Sequence, residues 1–219
     1  VRPAIKEADA HESTIVVYHE DWHRAGAPFK QAGFTERSEE MTQIQKYPAG
    51  WRVLHWIMAL MVLVTLPIGL WMASRAEANI WGELTNSLYS WHKAIGFSVL
   101  LLMILRIGMK VVLKGPPCPD SLPRKLQLAA KNVHHLLYVL LVLTPLFGWA
   151  GVTAFPALVT LGGYHLPAMP FVPEDSELSE RLFAIHGILA ITLGVLIVGH
   201  IAAAMRHMVS KDGIFRRML

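Results

Sequence analysis

The sequence predicts an all-α fold: an integral membrane four-helix bundle with both termini cytoplasmic. Three observations carry that prediction. Hydrophobic residues make up 53% of the 219-residue chain and charged residues only 16%, and a mean hydropathy of +0.40 is too high for a soluble domain that must keep a charged surface. Four apolar stretches, at about 51–73, 88–112, 130–154 and 181–205, are each long enough to cross a hydrocarbon core of about 30 Å at about 1.5 Å per helical residue. The basic residues behind the net charge of +4 flank those stretches instead of forming a soluble patch, so they signal membrane topology and not a nucleic-acid partner.

Residues 1–46 form a polar N-terminal tail. Residues 1–40 are aperiodic and lack the apolar h-region of a secretory signal peptide. Because the chain starts with Val1 and Met41 stands shortly before the first span, two readings of that segment stay open, a native tail and a segment foreign to the natural protein. His11, His19 and His23 lie in it at spacings that match no familiar metal site. The single cysteine, Cys118, excludes an intramolecular disulfide, an iron–sulfur centre held by this chain alone and a C-x-x-C-H haem attachment.

Residues 47–219 form the membrane domain. Between the second and third spans, KGPPCPDSLPRK carries prolines that forbid a continuous helix. Between the third and fourth, FPALVTLGGYHLPAMPFVPEDSELSER is apolar at first, suited to the membrane interface, and then acidic. Lys110, Lys114, Arg124, Lys125 and Lys131 surround the former, and Arg206, Lys211, Arg216 and Arg217 follow the last span, whereas Glu174, Asp175, Glu177 and Glu180 precede it. The positive-inside rule then places the 114–127 loop and the C-terminus in the cytoplasm and the acidic loop outside.

Strongly coordinating residues inside a span are costly and usually face the bundle interior. Here they are histidines: His55 early in span one, His92 early in span two, and His186 and His200 near the two ends of span four. Fourteen residues at about 100° each fall roughly 40° short of four turns, so His186 and His200 leave nearly the same helix face, about 21 Å apart along the axis. The topology puts His55 at the depth of His200 and His92 at the depth of His186. Two pairs of imidazoles at two depths are what two bis-histidine haems stacked in a four-helix bundle require. A single buried histidine is ordinarily a hydrogen-bonded core residue, but a proton relay would add acidic residues within the spans, and these spans have none.

Other residues support this more weakly. Gly96, Gly187, Gly194 and Gly199 suit either the close approach of a flat porphyrin or ordinary small-residue helix packing. Arg52, Arg106 and Arg206 lie near the cytoplasmic ends of spans, and Arg106, inside the apolar LLMILRIGM, is the best partner for a haem propionate. His134 and His135 open span three on the same side and, with His207, compete as ligands for the inner haem. Depth favours His55 with His200. His165 falls in the outer loop, and the tryptophans, Trp51, Trp56, Trp71, Trp81, Trp91 and Trp149, suit an aromatic belt.

With these residues in place, the chain from about Tyr47 to its end resembles the bacterial cytochrome b561 family, relatives of the cytochrome b subunits of nickel-iron hydrogenases and formate dehydrogenases. The marks are R-x-x-H-W at Arg52 to Trp56, W-H-K-x-x-G at Trp91 to Gly96, Arg106, then His134, Tyr138, Pro145 and Gly148, and finally His186 and His200. The resemblance implies two b haems in the bacterial inner membrane and electron exchange with quinone, and some members are similar to a superoxide oxidase that reduces ubiquinone. His134, beside the inner pair, is the candidate quinone-site residue. The expected partners are membrane lipid, quinone and a redox protein on the outer side. Two alternatives stand beside this reading: an anchor subunit of a hydrogenase or dehydrogenase, and a haem-free transporter whose histidines line a polar path.

Overall fold

A computed structural model describes residues 45–113, 115–117 and 123–219. His11, His19, His23 and Cys118 lie outside them. Four helices make up the described chain: α1 (Ala49–Glu77), α2 (Glu83–Val112), α3 (Arg124–Ala154) and α4 (Ser176–Ser210), with short 3-10 turns at Leu161–Gly163 and Phe215–Met218. All four are long and apolar enough to cross a membrane. Three of them begin ahead of their apolar runs where local chemistry sets the start: Pro48 and Pro123 precede α1 and α3, and the Asp175 side chain accepts from the Leu178 N–H at 2.9 Å to cap α4.

α1 packs on α2, α3 on α4, and α2 joins the two pairs, whereas α1 and α4 share few backbone contacts. One cluster of buried residues comprises Leu54, Met58 and the fully buried Met103, and a second comprises Leu137, Leu140 and Leu193. Most other large apolar side chains point outward, Leu60, Val111 and Val195 among them. In a soluble protein those would be unmet hydrophobic surface; across a bilayer they are the lipid-facing belt.

The bundle has two distinct ends. At the loop end, α1 turns into α2 through Asn79, with φ of 54°, and the buried Thr85 hydroxyl donates to the Ile80 carbonyl at 2.8 Å while accepting from Arg75 Nε at 2.7 Å. The α3–α4 connection folds back on itself through an antiparallel bridge between Val159 and His165, made possible by left-handed Gly162 and Gly163 at its tip. It is fastened to α3 by Trp149 Nε1 on the Pro167 carbonyl, 2.7 Å, and to α2 by the Lys93 ammonium, which donates to the carbonyls of Ala157 and Val159.

At the terminal end, the chain leaves α4 through left-handed Lys211 and hooks back across the bundle. Asp212 accepts from His207 Nδ1 at 2.6 Å, from the Ser210 hydroxyl at 3.1 Å and from the Ile214 N–H at 3.1 Å. Buried Arg217 donates to the carbonyls of Gln45, 3.1 Å, and Pro117, 2.6 Å, and its own carbonyl accepts from the Tyr47 N–H at 3.1 Å. Trp56 Nε1 reaches the Met218 carbonyl at 2.8 Å, and Arg52 donates to the carbonyl of Leu219.

Candidate functional site: two histidine pairs along the bundle

α4 carries His186 towards the loop end and His200 towards the terminal end, and each meets an imidazole from another helix. The rings of His92 and His186 have centroids 5.9 Å apart, and those of His55 and His200 are 6.4 Å apart. All four rings are half-buried. An imidazole nitrogen binds a metal at about 2 Å, so two rings bound on opposite sides of one metal have centroids about 6 Å apart, and both pairs match that spacing. His134 also reaches the terminal-end group, with its centroid 5.3 Å from that of His200. That is too close for the same arrangement, which leaves His55 as the better-placed partner.

At the loop end the ring orientations are set by neighbouring helices. His186 Nδ1 lies 2.8 Å from the Thr144 carbonyl, and His92 Nδ1 lies 3.2 Å from the Thr65 carbonyl and 3.3 Å from the Thr65 hydroxyl. Beneath each ring lies a glycine. A Cβ at Gly69 would stand 2.8 Å from His92 Cε1, and one at Gly148 would stand 2.9 Å from His186 Nδ1. Among the described residues, the glycines where a Cβ would stand under 3.0 Å from another group are these two and Gly151, which faces Phe183. At Gly96, Gly187, Gly194 and Gly199 a Cβ would meet nothing within 4 Å, so of the two readings held open for these four, close packing against a neighbouring helix is not what the structure shows.

At the terminal end, Arg106 bridges α2 to two neighbours. Its Nε donates to the Tyr138 hydroxyl at 3.0 Å and its Nη1 to the Trp51 carbonyl at 3.2 Å. Trp51 precedes His55 by one helical turn and Tyr138 follows His134 by one, so the guanidinium sits just beyond the histidine cluster. Lys110 Nζ lies 4.6 Å from the centre of the Tyr138 ring, a cation–π contact. Among the described residues, the buried Nε of Arg52 and Nε1 of Trp51 have no hydrogen-bond partner. His134 and His135 turn Nδ1 onto carbonyls one turn back, Ala130 at 2.6 Å and Lys131 at 2.7 Å, while His207 is committed to Asp212. His165 is exposed in the loop-end hairpin.

The sequence pattern of prokaryotic cytochrome b561 matches residues 46–219, which is the whole bundle with its C-terminal hook. This chain belongs to the prokaryotic cytochrome b561 family. Within that family it is similar to cytochrome b561 homolog 2 of Escherichia coli K12, 29% identical over 168 residues that cover 75% of this chain and 86% of the relative. It is also similar to cytochrome b561 homolog 1 of the same organism, 28% identical over 76% of this chain and 92% of the relative, and to a probable superoxide oxidase of Yersinia pestis, 27% identical over 76% and 91%. As a cytochrome b561 the chain is a bacterial membrane b-type cytochrome, and the family implies haem b.

The residues present fit that cofactor. A carbonyl can only accept, so Nδ1 of His186 carries the ring proton and Nε2 keeps the lone pair that a metal needs. The spacing of both pairs suits an iron between two imidazoles. The unpartnered donors of Arg52 and Trp51 suit an anionic group such as a propionate. Of the set that positions the rings at the loop end, the sequence marks Gly148 only as part of the family pattern and does not single out Thr65, Gly69 or Thr144. A signal was available, since α1 reads T-L-P-I-G at Thr65 to Gly69 and α3 reads T-P-L-F-G at Thr144 to Gly148.

Proposed function

We propose that this protein carries two b haems and passes electrons across the bacterial inner membrane, exchanging them with quinone, with superoxide as a donor on the outer side. One observation carries the proposal: a single helix presents histidines to two separate partner histidines at its two ends, each at the spacing of a bis-histidine iron site. His55 with His200 and His92 with His186 would hold the two haem irons. Haem supplies reversible one-electron chemistry at iron; the protein supplies ligands, a fixed separation and a low-dielectric path.

The other roles follow from position. Arg52 and Arg106 serve the propionates of the terminal-end haem, Arg52 through its unpartnered Nε and Arg106 through the guanidinium N–H groups not engaged by Tyr138 and Trp51. His134, exposed beside His200 with Nδ1 turned onto its own helix, offers its remaining nitrogen to a quinone headgroup as a hydrogen-bond or proton partner. The basic residues around the α2–α3 connection put the terminal end in the cytoplasm, so that the loop end, with its acidic stretch, faces the outer donor or a redox partner protein. Residues 1–46 act as a tail and residues 47–219 as the working domain. The superoxide assignment leans on the relative of that name and extends no further.

The test is direct. The purified protein should show the absorption of low-spin b haem at two haems per chain, and reduced protein should transfer electrons to a ubiquinone analogue. One haem per chain, or none, would reject the dihaem reading. Reduction of quinone by His134→Ala at the normal rate, with both haems retained, would remove His134 from the quinone site.

A further inference from the structure

The two histidine pairs are seated differently, and the difference bears on electron affinity. At the loop end each ring rests on a carbonyl of a neighbouring helix and on a glycine four residues further along that helix, hence on the same face. Thr144 and Gly148 of α3 hold His186; Thr65 and Gly69 of α1 hold His92. Each segment also contains a proline, Pro67 or Pro145, inside the helix. At the terminal end, among the described residues, neither His55 nor His200 makes a hydrogen bond to a backbone carbonyl. Arg106 stands by the terminal-end pair, and a cation there raises the potential of that site in the same direction as the missing carbonyl seats, so the seats are separated from charge by substituting the glycines.

We propose that the Thr–Gly seats of α1 and α3 position His92 and His186 as the stronger electron-donating pair, giving the loop-end haem the lower reduction potential. This rests on the dihaem reading above. An imidazole that donates Nδ1–H to a carbonyl is the more basic ligand through Nε2, and a more basic ligand favours ferric over ferrous iron. The glycines matter because any larger residue would push the ring off its carbonyl. An electron held at the loop end then runs downhill to the terminal end: one iron is oxidised, the other reduced, and no proton or third reactant is needed. The tighter bond, at His186, makes Thr144–Gly148 the more influential of the two seats.

The experiment is an anaerobic redox titration of the purified full-length holoprotein followed by visible absorption, with electron paramagnetic resonance of the oxidised state. The two transitions are assigned by their loss in His186→Ala and in His55→Ala. The component lost with His186 should have the lower midpoint. In Gly148→Ala that component should shift upward and its low-spin signal should change, while the other component stays. Gly108→Ala, where a Cβ would meet nothing within 4 Å, should move neither. Were His186→Ala to remove the higher component, or Gly148→Ala to leave both midpoints unmoved, the proposal would be overturned. If Gly148→Ala does not accumulate, Gly69→Ala tests the matching seat, and the order of midpoints in the unaltered protein still decides. Absence of haem from the unaltered protein would instead overturn the dihaem reading itself.

Discussion

The loop end and the terminal end solve one problem, holding two nearly perpendicular imidazoles opposite one another inside a bundle, by different means. At the loop end, backbone carbonyls and glycines of adjoining helices fix the rings, and a folded hairpin held by Lys93 and Trp149 closes over the helix ends. At the terminal end, three rings gather with no carbonyl support from other helices among the described residues, while Arg106, Tyr138 and the C-terminal hook brace the surroundings. One site is fixed from directly beneath its ligands; the other is held from a turn away. Substitutions near the rings should therefore matter more at the loop end, and substitutions in the bracing network more at the terminal end.

The largest expected effect comes from the ligands. His186→Ala and His55→Ala should each halve the haem-to-protein ratio, and the residual spectra should differ. Loss of the same component in both would abolish the distinction between the ends, and loss of the terminal-end haem in His134→Ala but not in His55→Ala would reassign the pair there.

Smaller losses should follow from the bracing residues. Arg106→Gln removes charged hydrogen bonds worth about 1.5–3 kcal/mol each when buried, and Thr85→Val strands the Ile80 carbonyl and the Arg75 side chain at the loop end for about 1–3 kcal/mol. Thermal unfolding in detergent should register both. Only Arg106→Gln should alter the spectrum of the terminal-end haem.

The hook should respond weakly to acid. Desolvation alone would raise the Asp212 carboxyl, but hydrogen bonds from His207, the Ile214 N–H and the Ser210 hydroxyl, together with the charge of His207, outweigh it and hold the carboxyl below its ordinary value. A depressed carboxylate stabilises the fold above its unfolded value and loses that contribution as pH falls through the folded value. The hook should thus stay closed through the neutral range and loosen only below the ordinary carboxylate range, read out by the fluorescence of Trp56, whose indole it holds. Loosening between pH 6 and 8 would contradict this. The smallest effect expected is none: a chain beginning at Met41 should insert, bind haem and give the same reduced spectrum.

Four spans could be read from hydropathy because each is a long apolar run, and three of the helix starts lie ahead of the runs where Pro48, Pro123 and the capping Asp175 side chain act locally in ways that hydropathy does not register. The neighbours His55–His200 and His92–His186 could be read from depth, since alternating helix direction orders depth without any knowledge of packing. Which glycines lie against other groups could not. Gly187 and Gly148 look alike in a sequence, and only the position of His186 relative to α3 tells them apart. The hook was equally hidden, because Arg217 finds its partners 100 and 172 residues away and nothing local marks them.

The hook also has a topological consequence. The Tyr47 N–H on the Arg217 carbonyl and Arg52 on Leu219 bring the beginning and end of the bundle together, so the four helices form a closed circuit whose covalent break falls where the two ends already touch. A circular permutant joined by a short linker from 219 to 45 and opened within 118–122 would run α3, α4, α1, α2. Every helix would keep its direction, both new ends would emerge on the same side as the old ones, and no additional membrane crossing would be required. The chain order of the helices is thus separable from their arrangement, and the histidine pairs belong to the arrangement.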